Sequence, residues 1–355
     1  MPDDAKPMQR FSRAAIEDFM QRCFVATGFP SDDAGIIARF MAESDIMGKD
    51  SHGIFRLPAY IGRVQGGGFN KTPNIRIEQE RTATALVDGD NGMGHLVINY
   101  CAELAIRKAK QTGVSWVGVH HSNHAGAAGA YAMLPLAHDM IGIYVAVGSA
   151  NHLPPWGGTE SMLSTNPIAV AIPGMEEDPI LLDMATTVTS YGKVKVHAQR
   201  GIPMPEGWMI DRDGNSMTDA SLSDSGFLLP IGGAKGYGLA LIFGILAGTL
   251  NGAAFGKDVV DMNADNSSVT NTGQFIIALD IAAFMDVDKF KREIDDVVRQ
   301  MRSSATLTGV ESVRMPGEGS HAAIADRMAN GIPLPVPLLD GLRKVANELN
   351  VSPLD

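Results

Sequence analysis

The sequence contains few cysteines, and their positions exclude a disulfide framework and a thiolate metal site. Cys23 and Cys101 are the only two in 355 residues, and they lie far apart, outside any C-x-x-C spacing. Residues 1–10 are polar and lack the apolar run of a secretory signal. We therefore expect a protein of the reducing cytoplasm.

Clustered positive charge is also missing. The chain has 29 Lys and Arg against 40 Asp and Glu, which gives a formal net charge of -11. Because a nucleic-acid partner requires grouped cations to displace counterions, the charge argues against one. With 45% hydrophobic and 19% charged residues, the composition is that of a soluble globular protein. The length predicts two domains, or one large α/β domain with additions.

A third absence is the G-x-G-x-x-G fingerprint of the common dinucleotide-binding fold. The glycine-rich run 232–238 has the composition of a phosphate loop, but not the G-x-x-x-x-G-K-[ST] spacing of a nucleoside triphosphatase. Its backbone amides, Lys235 and Gly236 at the start of a helix predict an anion site where a pyrophosphate could rest. A tight turn into a buried helix explains the same residues.

Long apolar runs are limited to one segment, Gly236 to Gly256, which is uncharged and long enough to cross a bilayer. Glycines recur at every fourth position from Gly244 to Gly256, so another backbone can approach closely along that ridge. The many glycines, an Asn and a Thr favour a buried helix of a soluble protein over a membrane span. We expect it to pack centrally or at a subunit interface.

The periodicity of apolar residues predicts a mixed α/β fold, because strands and helices alternate from residue 82 onward. Both chain ends are helical by the same criterion, with predicted helices at 12–28, 32–47, 319–330 and 336–349. We expect residues 1–75 and 319–355 to form one helical region. Residues 76–318 would form the α/β region.

The richest chemistry lies in residues 50–60. A helix that starts here places His52, Arg56 and Tyr60 at i, i+4 and i+8, on one face, with Ser51 beside the imidazole. An imidazole can exchange a proton with a carbonyl or imine, and a guanidinium can hold a carboxylate through two hydrogen bonds. The segment therefore predicts a site for a 2-oxo acid.

Pro58 interrupts this helix, which must kink or start late. Tyr60 lies beyond this interruption, so its place on the predicted face depends on where the helix starts. The same segment also suits a helix-capping Ser-His pair beside a surface arginine.

Two other segments follow predicted strands. His120, His121 and His124 could bind a metal ion, as in a metal-dependent hydrolase or lyase, but H-E-x-x-H is absent. We prefer an active cleft without a metal, in which His124 is a second polar residue. Asp183 ends an apolar run at the sheet edge where α/β proteins bind ligands, and its carboxylate could orient an imidazole and favour the protonated form. A helix N-cap is the alternative for Asp183.

Taken together, these segments resemble the type-2 malate/L-lactate dehydrogenase family, whose relatives include ureidoglycolate and sulfolactate dehydrogenases, diketogulonate reductase and Δ1-piperideine-2-carboxylate reductase. The resemblance spans nearly the whole chain. Its segments are Ser51-His52-Gly53 with Arg56 and Tyr60; Ser122-Asn123-His124; Asn151 through Pro155-Trp156-Gly157-Gly158; Thr165-Asn166-Pro167; Leu182-Asp183-Met184-Ala185; Gly192-Lys193; Pro205-Glu206-Gly207-Trp208; Lys235-Gly236-Tyr237-Gly238; and Pro316-Gly317-Glu318.

The resemblance implies a nicotinamide dinucleotide, NAD or NADP, on a fold of its own, and a homodimer built through the α/β region. It implies that His52 donates the proton, with Ser51 and Asp183 in relay, and that Arg56 and Tyr60 lie near the substrate carboxylate. In some relatives the histidine at the motif of His124 has the acid/base role instead. The implied cofactor-binding residues are His124, Gly126, Leu182, Asp183, Met184, Lys235, Gly236, Pro316, Gly317 and Glu318.

The expected function is hydride transfer between NAD(P) and the α-carbon of a small 2-hydroxy or 2-oxo acid of the malate, lactate, sulfolactate or ureidoglycolate type. NADPH-dependent reduction of a cyclic 2-imino acid is the alternative. One position departs from the pattern, because several relatives carry an acidic residue where this chain has Gly244, nine residues after Lys235. The substrate and the helix packing of those relatives therefore transfer less securely.

Overall fold

The computed structural model describes residues 8–354 and contains a mixed α/β fold. Its strands are β1 Met8–Phe11, β2 Arg76–Glu80, β3 Thr84–Asp88, β4 Val114–Ser122, β5 Met140–Ala146, β6 Ile168–Ile172, β7 Ile180–Met184, β8 Met209–Ile210, β9 Ser216–Met217, β10 Phe227–Leu228, β11 Thr272–Asp280 and β12 Ile332–Pro335. Its helices are α1 Arg13–Ala26, α2 Ser31–Ile46, α3 Leu57–Gln65, α4 Gly94–Thr112, α5 Ala128–Ala132, α6 Tyr191–Arg200, α7 Ala234–Ala247, α8 Val287–Arg302, α9 Glu318–Asn330 and α10 Val336–Leu349. The predicted alternation of strands and helices is confirmed.

A seven-stranded sheet forms the centre, in the order β2-β3-β4-β11-β5-β6-β7. Strands β3 and β4 are parallel and are joined by helix α4, whereas the other neighbouring pairs are antiparallel. The parallel register places Asp88 opposite His120. The carboxyl ends of β3 and β4 therefore meet at one edge, and the loops that leave this edge carry the polar residues described below.

Helices from both chain ends share one hydrophobic cluster. Strand β1 pairs with β12, and buried residues of α1 and α2 pack with those of α3 and α10. Members of the cluster include Ile16, Phe19, Ile37, Leu339 and Leu342. Burial of each such side chain stabilises the fold by about 1.5–3 kcal/mol. The helical ends expected from periodicity therefore pack together, while the proposed domain borders stay a prediction.

Helix α7 packs differently from a fully buried helix. Its small residues Gly236, Ala240, Gly244 and Ala247 face inward, because a Cβ at Gly244 would overlap the ring of Phe255. Its large residues point outward, with Leu239, Ile242 and Ile245 exposed by 41%, 52% and 38%. The expectation of central burial is therefore wrong for this face, and the interface alternative remains. In residues 8–354 no helix is both long and apolar enough to cross a membrane.

Candidate active site

The segment that carries His52 is a turn and not one continuous helix. Two short 3-10 helices, Asp50–His52 and Ile54–Arg56, are separated by Gly53, whose ψ of -139° breaks the helical path. Helix α3 then begins at Leu57 with Pro58 in its first turn, where a missing N–H costs little. The prediction of a single helical face is wrong, and the late start indicated by Pro58 is confirmed.

A buried carboxyl group holds this turn in place. Asp45 of α2 is 1% exposed, and its Oδ2 accepts a hydrogen bond of 2.8 Å from the N–H of Ile54. A Cβ at residue 53 would overlap the same carboxyl, so Gly53 is required. Burial raises the pKa of Asp45 to about 8, although the hydrogen bond from the N–H of Ile54 lowers it. Sequence reasoning missed Asp45, although its spacing from Ile37 and Met41 continues the buried face of α2.

Two imidazoles face each other across the site. The rings of His52 and His124 are stacked, with centroids 5.6 Å apart and an angle of 22° between their planes. Nδ1 of His52 lies 2.9 Å from Oγ of Ser51, and Nδ1 of His124 lies 2.6 Å from the hydroxyl of Tyr60. The fold thus brings together four residues that the sequence assigned to one cleft, although they come from a turn, a helix and a loop.

His95 is a third imidazole that sequence reasoning missed. It lies in the first turn of α4, is fully buried, and its ring meets that of Tyr60 edge to face at 5.6 Å. Neither of its ring nitrogens has a hydrogen-bond partner in residues 8–354. Gly126, at φ +76°, leaves room for it, since a Cβ there would lie 3.1 Å from Nε2 of His95. The detectable signal was a histidine directly before the apolar residues Leu96, Val97 and Ile98 at the start of the helix.

The surroundings keep all three imidazoles neutral at pH 7. Burial lowers the pKa of His52 to about 4, and the positive charges of Arg56 and Lys49 contribute further. Burial also lowers the pKa of His95 to about 3, and it holds the pKa of His124 well below its usual value. No carboxylate hydrogen-bonds to any of the three within the described chain. Nδ1 of His52 and Nδ1 of His124 are occupied by hydroxyl groups, so Nε2 of each ring is the nitrogen left for proton exchange or hydrogen bonding.

Arg56 belongs to the same site. Its Nε donates to the carbonyl of Ser51 at 2.9 Å, and one terminal nitrogen donates to Oδ1 of Asn263 at 2.9 Å. Its charge lowers the pKa of both His52 and His124, so the guanidinium lies close to the two rings. Asn263 was not predicted, because it comes from a loop more than two hundred residues away.

Asp183 contacts a lysine and not a histidine. Its Oδ2 lies 3.2 Å from Nζ of Lys49, and the structure shows no hydrogen bond from Asp183 to an imidazole in residues 8–354. Asp183 lies within β7 and caps no helix there. The expected orientation of an imidazole by this carboxylate is therefore not observed, because Asp183 pairs with Lys49, the residue that precedes the Asp50–His52 turn.

A cleft of about 460 Å³ adjoins the turn and includes Asp183. One wall is β7, and the other is the N-terminal part of α9, held together by a 3.0 Å hydrogen bond from the N–H of Leu181 to the carbonyl of Pro316. The structure thus brings the predicted cofactor segments 182–184 and 316–318 together. The residues that line the cleft are Met47, Gly48, Lys49, Leu181, Asp183, Gly317, Gly319, Ser320, Ala323 and Arg327.

The cleft is lined by groups that can attract an anion. The N-terminus of α9 lies beside it, Lys49 and Arg327 supply positive charge, and nothing lies within 4 Å of a Cβ placed at Gly319. Arg327 also binds the Asp45 carbonyl and the Asp50 carboxylate. One guanidinium therefore connects the cleft with the turn that carries His52.

Lys235 and Gly236 lie in the first turn of α7, after Gly233 at φ +65°. The preceding loop is joined to the segment after β7 by a 3.0 Å hydrogen bond from the N–H of Ile231 to the carbonyl of Thr186. Lys235 is exposed. The predicted anion loop is thus next to the cleft wall, while its contact with a cofactor stays a prediction.

The three-histidine metal cluster is a wrong grouping. His120 and His121 lie near the end of β4, and Nε2 of His120 lies 2.9 Å from Oε2 of Glu78. Nδ1 of His121 lies 3.0 Å from Oδ1 of Asp88. His124 instead faces Tyr60, because the chain turns sharply at His121, whose φ is +48°.

The sequence matches the family model described as malate/L-lactate dehydrogenase over residues 11–343. The chain belongs to the malate/L-lactate dehydrogenase family. It is 36% identical over 353 residues to a malate dehydrogenase of Pyrococcus horikoshii, covering 97% of each chain. The structure of a sulfolactate dehydrogenase from Methanocaldococcus jannaschii matches with a TM-score of 0.90 and 35% identity, covering 97% of this chain and 98% of the other.

A more distant structural match is a delta1-piperideine-2-carboxylate reductase from Pseudomonas syringae, with a TM-score of 0.85 and 28% identity over 95% of this chain and 100% of the other. Membership in the family identifies this protein as an NAD(P)-dependent oxidoreductase of small 2-hydroxy acids. It also accounts for the missing G-x-G-x-x-G fingerprint, since the fold shared with these relatives has a mixed sheet in place of a doubly wound parallel one.

Proposed function

We propose that the protein interconverts a small 2-hydroxy acid of the malate, lactate, sulfolactate or ureidoglycolate type and its 2-oxo acid, with His52 as the proton-exchanging group. The observation that carries the proposal is the stacked pair of His52 and His124 beside the guanidinium of Arg56. A neutral base and a fixed cation that lie side by side, both partly exposed, suit a substrate that has a carboxylate next to its reacting carbon.

Arg56 holds the substrate carboxylate in this proposal. The guanidinium is already oriented by Ser51 and Asn263, so little side-chain entropy is lost when it binds a second partner. Its remaining N–H donors can form charge-assisted hydrogen bonds to a carboxylate. Tyr60 then lies behind the site and acts through His124.

The hydrogen bonds distinguish the two imidazoles. Burial holds the pKa of Tyr60 far above neutrality, so its hydroxyl keeps its proton and donates to Nδ1 of His124. The N–H of Gly126 points at the same nitrogen at 3.4 Å, which leaves the proton of a neutral His124 on Nε2. This arrangement opposes protonation of His124 and suits it to donate a hydrogen bond to the substrate oxygen.

His52 has a more adaptable partner. The hydroxyl of Ser51 can donate to Nδ1 of a neutral imidazole and accept from Nδ1 of an imidazolium, so it accommodates both protonation states. His52 can therefore take the hydroxyl proton during oxidation and return it during reduction. Asp183 would influence this exchange only through Lys49.

When bound, the nicotinamide ring accepts or supplies the hydride at its C4 atom. The residues proposed to hold the dinucleotide are His124, Gly126, Leu182, Asp183, Met184, Lys235, Gly236, Pro316, Gly317 and Glu318. The cleft between β7 and α9 supports this assignment for the segments 182–184 and 316–318. Either NAD or NADP is compatible with it.

Replacement of His52 by Ala tests the proposal. We expect turnover to be lost while NADH or NADPH still binds, as measured by the fluorescence of the reduced nicotinamide. The matched control is His138→Ala, an exposed histidine far along the chain, which should keep full activity. Full activity of His52→Ala would transfer the acid/base role to His124 or reject the proposal.

A panel of 2-oxo acids and cyclic 2-imino acids, each assayed with NADH and NADPH, identifies the substrate class. The reductase from Pseudomonas syringae supports the imino acid as the second candidate, because a protonated imine nitrogen could occupy the place of the carbonyl oxygen. Turnover of the imino acids alone would select this alternative.

We also infer a homodimer, which the outward apolar face of α7 supports. Leu239, Ile242 and Ile245 together form an exposed apolar stripe on α7. Light scattering should give twice the chain mass, and Ile242→Asp should reduce it to the monomer mass. A monomer mass for the unaltered protein would contradict the inference.

A further inference from the structure

A second cluster of ligand-type side chains lies at the edge of the central sheet. Asp88 at the end of β3 and His120 and His121 in β4 each offer one ligand atom, and these atoms all lie within 4.8 Å of one another. Glu78 of β2 extends the cluster, since its carboxylate contacts His120 at 2.9 Å. None of these residues contributes to the site around His52.

The backbone brings two consecutive imidazoles to the same side of the sheet. In a regular strand, neighbouring side chains point to opposite faces. Here His121 has a φ of +48°, and the pairing of β4 with β11 shifts in register between Gln274 and Thr272. The ring centroids of His120 and His121 are consequently only 4.3 Å apart. This is an uncommon conformation for a residue with a Cβ.

The charges of the cluster favour a cation. The carboxylates of Glu78 and Asp88 outnumber the single guanidinium of Arg76, which pairs with Oδ2 of Asp88 and lies 3.8 Å from Glu78. Oδ1 of Asp88, by contrast, faces His121 at 3.0 Å. Because Asp88 is almost fully buried and also accepts a bond from the N–H of Asp90, its Oδ1 is held in one position.

We propose that Asp88, His120 and His121 bind a divalent metal ion of the zinc class, with Glu78 or water in the fourth position. Two imidazole nitrogens and a carboxylate oxygen suit zinc, whereas magnesium and calcium prefer oxygen ligands alone. Bonds of about 2.1 Å in a tetrahedron separate neighbouring ligand atoms by about 3.4 Å. The spacings of 3.0 Å for the Asp88–His121 pair and at most 4.8 Å for the triad are within a small side-chain movement of that geometry.

Such an ion would connect strands rather than take part in hydride transfer. Its ligands come from β3 and β4, and Glu78 would add β2, so the ion would tie together the outer strands of the sheet. His124 lies three residues beyond His121 and contacts Tyr60 instead of the cluster. The proposal therefore stands or falls independently of the proposed dehydrogenase reaction.

Calorimetric titration of the chelator-treated full-length protein with Zn²⁺ tests the site. The variant is His121→Asn, because asparagine tolerates a left-handed backbone and removes the imidazole. We expect one Zn²⁺ per chain in the unaltered protein and binding weaker by about tenfold or more in the variant. His138→Asn, an exchange at an exposed histidine outside the cluster, is the matched control and should bind as the unaltered protein does.

A second titration with Co²⁺ reports the coordination directly. Visible absorption that appears with the unaltered protein and is absent with Asp88→Asn would support the triad as the ligand set. Equal Zn²⁺ affinity of the unaltered protein and His121→Asn would overturn the proposal, because the ion would then bind elsewhere. Absence of binding to the unaltered protein would overturn it as well. Circular dichroism of each variant verifies that it is folded.

Discussion

The protein has two groups of histidines whose surroundings are opposite. His52, His95 and His124 lie against one another or against Tyr60, next to the guanidinium of Arg56, and have no carboxylate partner in residues 8–354. His120 and His121 lie at the sheet edge, and each contacts a carboxylate. The first group has neutral imidazoles that can exchange protons, whereas the second has the donors of a cation site.

The difference shows that environment, and not spacing along the chain, assigns a histidine its chemistry. His121 and His124 are three residues apart, yet the left-handed backbone at His121 sends their side chains to separate places. Burial without a counter-ion disfavours the imidazolium, whereas a carboxylate stabilises positive charge beside it. The metal cluster of His120, His121 and His124, which the sequence offered as an alternative, rested on proximity along the chain alone.

The largest expected effect comes from disrupting the turn that carries His52 of the first group. Gly53→Ala places a Cβ on the buried carboxyl of Asp45, which must shift together with His52. We expect a loss of about 1–3 kcal/mol in the free energy of unfolding. The value of kcat/KM should fall about 100-fold, since a displacement near 1 Å suffices for that loss.

The control for this substitution is Gly62→Ala in α3. A Cβ there would make only an ordinary contact of 3.6 Å with Asn266, so stability and activity should be retained. Denaturant unfolding and steady-state kinetics measure both quantities. An active, stable Gly53→Ala protein would show that Asp45 does not position the turn.

A smaller effect is expected from removing the partner of His124. Tyr60→Phe deletes the hydroxyl that donates to Nδ1, leaving the buried nitrogen with the distant N–H of Gly126 alone. Leaving a buried acceptor without its hydrogen bond costs about 1–3 kcal/mol. If the ring of His124 loses its orientation by that amount, kcat/KM should fall roughly tenfold to hundredfold. Tyr144→Phe, another buried tyrosine of the core, should keep kcat/KM. Equal kinetics for the two variants would remove Tyr60 from the site.

The smallest expected effect is a change in how the stability of the protein depends on pH. The three imidazoles of the first group have folded-state pKa values below the unfolded value near 6.5, so the unfolded chain binds more protons as the pH falls. Their contribution to stability is present above pH 6.5 and is lost between pH 6.5 and about 4 for His52, and down to about 3 for His95. Asp45 acts in the opposite sense, since its raised pKa lowers stability as the pH rises toward 8.

His95→Leu isolates one of these contributions. We expect a shallower loss of stability below pH 6.5 than in the unaltered protein, and a stability at pH 7 that is equal or about 1 kcal/mol higher, because two unsatisfied nitrogens are removed. The pH profile of kcat/KM should change as well if His95 influences its neighbours. Leu96→Ala, which creates a cavity in the same helix, should lower stability equally at every pH. An unchanged slope for His95→Leu would mean that His95 does not titrate as described.

Local patterns of the sequence predicted the elements and part of the site. Apolar periodicity located the strands and helices from residue 82 onward, and Pro58 indicated the late start of α3. Ser51, His52 and Tyr60 were assigned to one cleft from a helical spacing, and His124 was assigned as a second polar residue of that cleft; the family resemblance agreed with both assignments. By contrast, Asp45, His95 and Asn263 reach the site through tertiary packing, and the break at Gly53 depends on the carboxyl beneath it. Periodicity can indicate that a residue such as Asp45 is buried, but it does not indicate which distant residue it contacts.

The hydrophobic cluster beneath the His52 turn joins parts of the chain that are remote in sequence. It contains Ile54 and Leu57 of the turn and the start of α3, together with Leu339, Leu342 and Val345 of α10. Removal of α10 would therefore keep every residue of the turn but take away side chains on which the turn packs. The arrangement of the reaction centre thus depends on a helix that supplies none of its polar groups.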